Sequence, residues 1–337
     1  MSIASAIHDL LSSAVRREQP GATVLRRASD ADASWWRRVL RYERCGPAVW
    51  GWMLDAGHAL DLPAHVRALL KDDAQLALGQ SLRVAPQLAR IAMLAARCGV
   101  RVMALKGAAR LLAGAHTAAS RTMDDIDLLV DDRAGAELLH RALQCEMGYA
   151  VVEHIPGHHH LDAIALPGWL PVEIHTRLAR RHGADGARVD IWQDAREVEV
   201  GGAPVWLPSP AALAEHTLAH ATASRMLRYT LRDVIDVAAV VSDPQVDLAR
   251  VSAFVHASVE RRAMETLLGA AHVLDARVPA ARVPEASWRA VRRVGRLRAE
   301  IAVRVQGRHA ARRLIAAGGA LAEGSPRAVI AYALARR

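Results

Sequence analysis

At 337 residues the chain is long enough for two or three compact units and a substantial core. It is 52% hydrophobic but only 4% aromatic, which favours helices over an all-β sandwich. Three cysteines without a Cys-x-x-Cys pair argue against a zinc-thiolate site or a disulfide framework, while a formal net charge of +9 leaves an anionic partner open.

Residues 1–98 are predicted to form an N-terminal helical subdomain. Apolar residues recur at helical spacing over 8–17, 34–44, 47–58, 63–77 and 81–98, with Gly and Pro between. Trp35, Trp36, Trp50 and Trp52 cluster here, either to pack a core or to stack a base. The start of the chain lacks a basic n-region, and no stretch reaches the roughly 18 apolar residues of a membrane span, so a soluble, cytoplasmic protein is expected.

Residues 99–207 are predicted to form an α/β core. Strands are expected over 100–105, 126–130, 149–155, 159–166 and 171–177, with helices over 108–114 and 133–147. Meandering late strands predict a mixed sheet. Pro204, Pro208 and Pro210 lie in a charge-free stretch that reads as an exit linker. Residues 208–337 return to helix over 211–224, 227–241, 247–274 with interruption, and 284–317. Segment 288–313 carries nine arginines against one acid, Glu300. Arg289, Arg292, Arg293 and Arg296 form one stripe, opposite Val294, Leu297, Ile301 and Val305. The stripe is either a solvated face or a platform for a polyanion.

Chemistry concentrates in the core. Asp125 and Asp127 stand at i and i+2 in the run Asp125-Ile-Asp-Leu-Leu-Val130, so a strand puts both on one face. Two buried like charges are costly unless a cation lies between them, which points to a divalent metal with hard oxygen ligands; a solvated strand end is the alternative. Upstream, a short strand ends in Leu105-Lys106-Gly107, where a glycine turn opening a helix offers backbone N–H groups to an anion. Downstream, Val172-Glu173-Ile174-His175 places Glu173 and His175 on a shared face.

A strand–glycine turn, an Asp-x-Asp strand and a later strand with one carboxylate resemble the polymerase-β-like nucleotidyltransferases. Within that superfamily the chain resembles an uncharacterised nucleotidyltransferase family with the pattern Leu-Lys-Gly, Arg, Asp-Ile-Asp-Leu-Leu-Val, acid-x-His. Those positions here are 105–107, Arg121, 125–130, and Glu173 with His175. The likeness continues in Leu213-Ala-Glu-His216 and Leu231-Arg232-Asp233-Val-Ile-Asp236, covering roughly residues 85–250. Lys-Gly stands where the superfamily usually carries Gly-Ser.

The resemblance implies an α+β polymerase-β-like core and a metal-dependent transfer of NMP from an NTP to an acceptor hydroxyl or phosphate, releasing pyrophosphate. It implies Mg²⁺, or Mn²⁺, on Asp125, Asp127 and Glu173, which are also the expected catalytic residues. Lys106, Gly107, Arg121 and His175 are expected to bind the nucleotide. With two lysines (Lys71 and Lys106) against 42 arginines, a lysine at the turn stands out, and its compact ammonium suits a triphosphate. Arg121 serves either phosphate or a structural ion pair, and His175 either touches the cleft or is a satisfied core histidine. The acceptor is a small molecule, peptide, saccharide or RNA, and the arginine stripe favours an anionic one. The alternative is a catalytically silent nucleotide- or polyanion-binding protein of the same fold.

Two other constellations are weaker. His158, His159 and His160 with Asp162 invite zinc, yet Pro156 and Gly157 put them at a hairpin edge. His216 and His220 share a helix face but do not match His-Glu-x-x-His, which leaves structural packing.

Overall fold

The computed structural model describes residues 1–114, 120–153, 160–178, 191–223, 229–258, 261–280 and 284–304. The chain divides into two compact units: residues 1–75 and 217–244 with the described part of 260–337, and residues 76–216 with 245–259. The first is helical and the second carries the sheet. No helix among the described residues is long and apolar enough to cross a membrane.

In the helical unit, α1 (Ile3–Val15) packs against α2 (Ala22–Ser29), α3 (Ala33–Glu43), α4 (Gly46–Asp55) and α12 (Pro284–Arg304). Helix α11 (Arg261–Leu274) lies against α12 and α9 (Leu231–Val241). Of the four clustered tryptophans only Trp36 is fully buried, its indole N–H donating to the Ala28 carbonyl at 3.2 Å. The arginine stripe is partly consumed inside this unit. Arg292 and Arg296 both reach Asp9, at 2.9 and 2.8 Å, while Val294 on the opposing stripe is buried. Val305 and the rest of the 288–313 segment beyond Arg304 lie outside the described residues.

The α/β unit is built on seven strands: β1 (Val102–Ala104), β2 (Ile126–Val130), β3 (Ala150–Glu153), β4 (Ala163–Ala165), β5 (Val172–His175), β6 (Arg196–Val200) and β7 (Ala203–Leu207). Their order is β3-β4-β5-β2-β1-β7-β6. Strand β1 runs antiparallel to β2 and parallel to β7, and β2 runs parallel to β5, so the sheet is mixed as expected. All five residues of β2 are buried, which is why its sequence reads as a near-continuous apolar run. Met103, Leu105, Leu129, Ile191 and Ala212 form one core cluster. Helix α7 (Arg133–Met147) is bounded as its sequence dictates: Asp132 accepts from the Gly135 N–H at 2.7 Å, and Gly148 ends it at φ +74°.

Two expectations are corrected. The proline-rich exit linker is β7 followed at once by α8 (Pro210–Ala223). Pro204 sits opposite Glu199 on β6, and β7 pairs with β1 two residues further on, at Trp206. The helices expected over 63–77 and 81–98 are one helix, α5 (Ala64–Arg97), which continues past Gly79 and contains Pro86. On the α/β side it is anchored by Gln87, whose amide donates to the Leu170 carbonyl at 2.7 Å and accepts from the Leu170 N–H at 3.0 Å.

Candidate active site

Strand register assembles the site. Asp127 on β2 lies opposite Glu173 on β5, and Leu129 opposite His175. Cross-strand partners share a face, so Asp127, Glu173 and His175 project together, and Asp125, two residues before Asp127, has the same parity. The outcome is close contact. His175 Nε2 lies 2.8 Å from Asp127 Oδ1 and 3.7 Å from Glu173 Oε2, and one ligand atom from each residue falls within 4.8 Å of the others.

The glycine turn supplies a cation. Lys106 takes φ +45°, a left-handed conformation that costs a residue bearing Cβ about 1–2 kcal/mol. In that conformation Lys106 Nζ stands 2.5 Å from Asp127 Oδ1, and the Leu105 N–H donates to the Asp127 carbonyl at 2.9 Å. Helix α6 (Lys106–Leu112) therefore starts two residues earlier than its sequence predicts. Gly107 also has a packing reason to lack a side chain. A Cβ there would lie 2.6 Å from Arg121 Nη1 and 3.0 Å from Met123 Sδ, so the missing side chain makes room for the arginine entering β2. Arg121 donates to the Thr122 carbonyl at 3.2 Å.

The charges are unequal. Burial alone would raise the Asp127 carboxyl, but the Lys106 ammonium and the His175 hydrogen bond hold it well below the carboxylate range. Lys106 is correspondingly raised: burial opposes its charge, and Asp127 outweighs burial. Asp125 goes the other way, pushed up to about 7 by burial and by the Asp127 carboxylate against the pull of Lys106. Three acids thus share one ammonium. Hard oxygen donors, close spacing and surplus negative charge are what a divalent cation fits.

Two histidines outside the expected set belong to this site. His160 lies opposite His175 in an isolated antiparallel bridge, with its ring edge-to-face at 5.4 Å and its Nε2 4.0 Å from Glu173 Oε2. It thus joins the acids of β5; His158 and His159 lie outside the described residues. His216 on α8 is held down to about 3 by burial and then by Lys106 and His175, which puts it beside the site as well as in a helix packing face. The sequence offered His160 only within a hairpin-edge zinc cluster and His216 only as a packing residue, because their approach to the strand acids is long-range. A helical Leu-x-x-His was the one available signal for His216.

Paired strands thus bring Asp127, Glu173 and His175 together beside the Lys106 turn. The chain matches the family model for uncharacterised nucleotidyltransferases over residues 29–275, more than half its length, and belongs to that family. No curated protein matches it. Among solved structures, an antigenic nucleotidyltransferase-like protein from Paracoccidioides brasiliensis is 14% identical, covering 62% of this chain and 98% of its own, with a TM-score of 0.39.

Proposed function

We propose that the protein transfers a nucleoside monophosphate from an NTP to an acceptor hydroxyl or phosphate, with release of pyrophosphate. The observation that carries this reading is the convergence of Asp127, Glu173 and His175 within 4.8 Å beside the Lys106 ammonium. Asp125, Asp127 and Glu173 would hold Mg²⁺ or Mn²⁺, which when bound draws charge from the triphosphate and orients it for in-line displacement. Lys106 exchanges Asp127 for a β- or γ-phosphate oxygen, a short movement for a flexible ammonium. Arg121, packed over Gly107, adds a guanidinium on the same side of the turn. Glu173, a half-buried acid at the end of its strand, accepts the proton of the attacking hydroxyl. Before an ion binds, His175 holds Asp127 in place through the 2.8 Å contact. The acceptor class is open to small molecules, peptides, saccharides and RNA.

The test is a screen of the four NTPs labelled at the α-phosphate against cell extract, with Glu173→Gln as control. Label should enter an acceptor with the wild type and not with the variant. Equal labelling by both proteins would overturn the assignment of Glu173 and the reading built on it.

A further inference from the structure

The nitrogen among the acids separates this site from an all-carboxylate one. Donor atoms about 2.1 Å from a shared ion stand roughly 3.0 Å apart at neighbouring octahedral positions and roughly 3.4 Å apart in a tetrahedron. His175 Nε2 lies 2.8 Å from Asp127 Oδ1 and 3.7 Å from Glu173 Oε2, distances that bracket those spacings. The ring is not free to turn away. It is 2% exposed, and His160 packs against it edge-to-face at 5.4 Å while its own Nδ1 is tied to the Leu161 carbonyl at 2.7 Å. The fixed His160 ring therefore limits rotation of His175.

We infer that Asp127, Glu173 and His175 form a mixed oxygen–nitrogen site for a first-row transition cation such as Mn²⁺, in preference to Mg²⁺. The inference rests on the nucleotidyl-transfer reading and specifies its metal. Mg²⁺ selects oxygen ligands and sheds its waters reluctantly, whereas imidazole nitrogen favours transition ions. For an ion to take the Nε2 lone pair, the proton shared by His175 Nε2 and Asp127 Oδ1 has to leave Nε2: in a neutral ring it moves to Nδ1, and in a protonated ring it leaves to solvent.

The experiment uses the full-length protein and Mn²⁺ without nucleotide. Electron spin echo modulation of bound Mn²⁺ should show coupling to an imidazole ¹⁴N, and His175→Gln should lose it while still binding Mn²⁺ more weakly. Mg²⁺ should need more than a tenfold excess to displace half of the Mn²⁺ from the wild type. Absence of ¹⁴N coupling in the wild type, or displacement by equimolar Mg²⁺, overturns the inference. The wild-type spectrum decides even if the variant fails to fold. Label transfer with Mg²⁺ alongside a nitrogen-free Mn²⁺ spectrum overturns this inference and leaves nucleotidyl transfer standing. A nitrogen-coupled spectrum with no label transfer from any NTP does the reverse.

Discussion

Each of the two units buries a cluster of charged side chains, and the clusters differ in how the charge is matched. In the helical unit, Glu43 is fully buried and accepts from both Arg298 and the Leu231 N–H, the latter at 2.9 Å. Arg298 donates in turn to the Tyr229 carbonyl at 2.6 Å. One carboxylate meets one guanidinium, and neighbouring His8 is held neutral, pushed down to about 4 by burial. In the α/β unit, Asp125, Asp127 and Glu173 face one ammonium, and the strain surfaces as an Asp125 carboxyl near 7. A matched buried pair holds helices in register. An unmatched cluster costs stability, a cost that a bound cation would relieve.

The contrast can be broken most strongly at Arg298. Arg298→Met leaves Glu43 buried without its partner, and a loss of about 3–5 kcal/mol is expected from urea unfolding. A loss under 1 kcal/mol would mean that the pair does not hold the helical unit.

Glu173→Gln tests the other cluster through chemistry. Turnover should fall by about 10²–10⁴-fold while NTP affinity changes little. Full turnover would reduce Glu173 to a strand-end acid.

Asp125→Asn sharpens the comparison, because removing surplus charge should stabilise the fold. Asp125 is raised from 3.8 to about 7 on folding, so the folded state binds the extra proton between those values and wild-type stability falls as pH rises through that window. The advantage of the variant should therefore be negligible below pH 4, grow to about 2–4 kcal/mol by pH 7, and stay level above it. His8 has the opposite sign. Its folded value is depressed from 6.5 to about 4, so its contribution is present above 6.5 and lost as pH falls towards 4 in both proteins. An advantage that does not change with pH would contradict the surplus-charge account.

A smaller effect is expected at Lys106. Lys106→Met removes the ammonium that competes for Asp127, so nucleotide-free Mn²⁺ should bind about tenfold tighter, a difference of about 1.4 kcal/mol, while NTP affinity falls. Weaker metal binding in the variant would show that Lys106 supports the ion site. The smallest effect belongs to the helix stripe. Arg292 and Arg296 are on Asp9, and Arg289 and Arg293 are further exposed members of the stripe. Arg289→Gln/Arg293→Gln should flatten the salt dependence of acceptor binding by roughly 0.7–0.9 per lost contact if that acceptor is a polyanion. An unchanged slope would assign the stripe to packing and solvation.

Much of the site was legible because strand periodicity is strict. Asp125, Asp127, Glu173 and His175 fall at spacings of two in apolar runs, so a shared face follows from sequence once β2 and β5 exist. Their parallel pairing does not, because nothing local specifies which strands adjoin. The same limit hid the approach of His160 and His216 to the strand acids. The strand β7 was missed for another reason: three prolines read as a linker, yet Pro204 lies near the start of β7, two residues before the position paired with β1. Helix α5 was split at Gly79, whose cost of about 1 kcal/mol is outweighed over a long helix. At Gly107 the packing reason was not legible, since the crowding comes from Arg121 and Met123.

The central claim is that the unmatched acids form a metal-dependent nucleotide site, and calorimetry tests it directly. NTP should bind the wild type only when a divalent cation is present, and Asp125→Asn/Asp127→Asn should abolish that binding while the protein remains folded. Equal NTP binding in excess chelator, or undiminished metal-dependent binding in the double variant, would contradict the account.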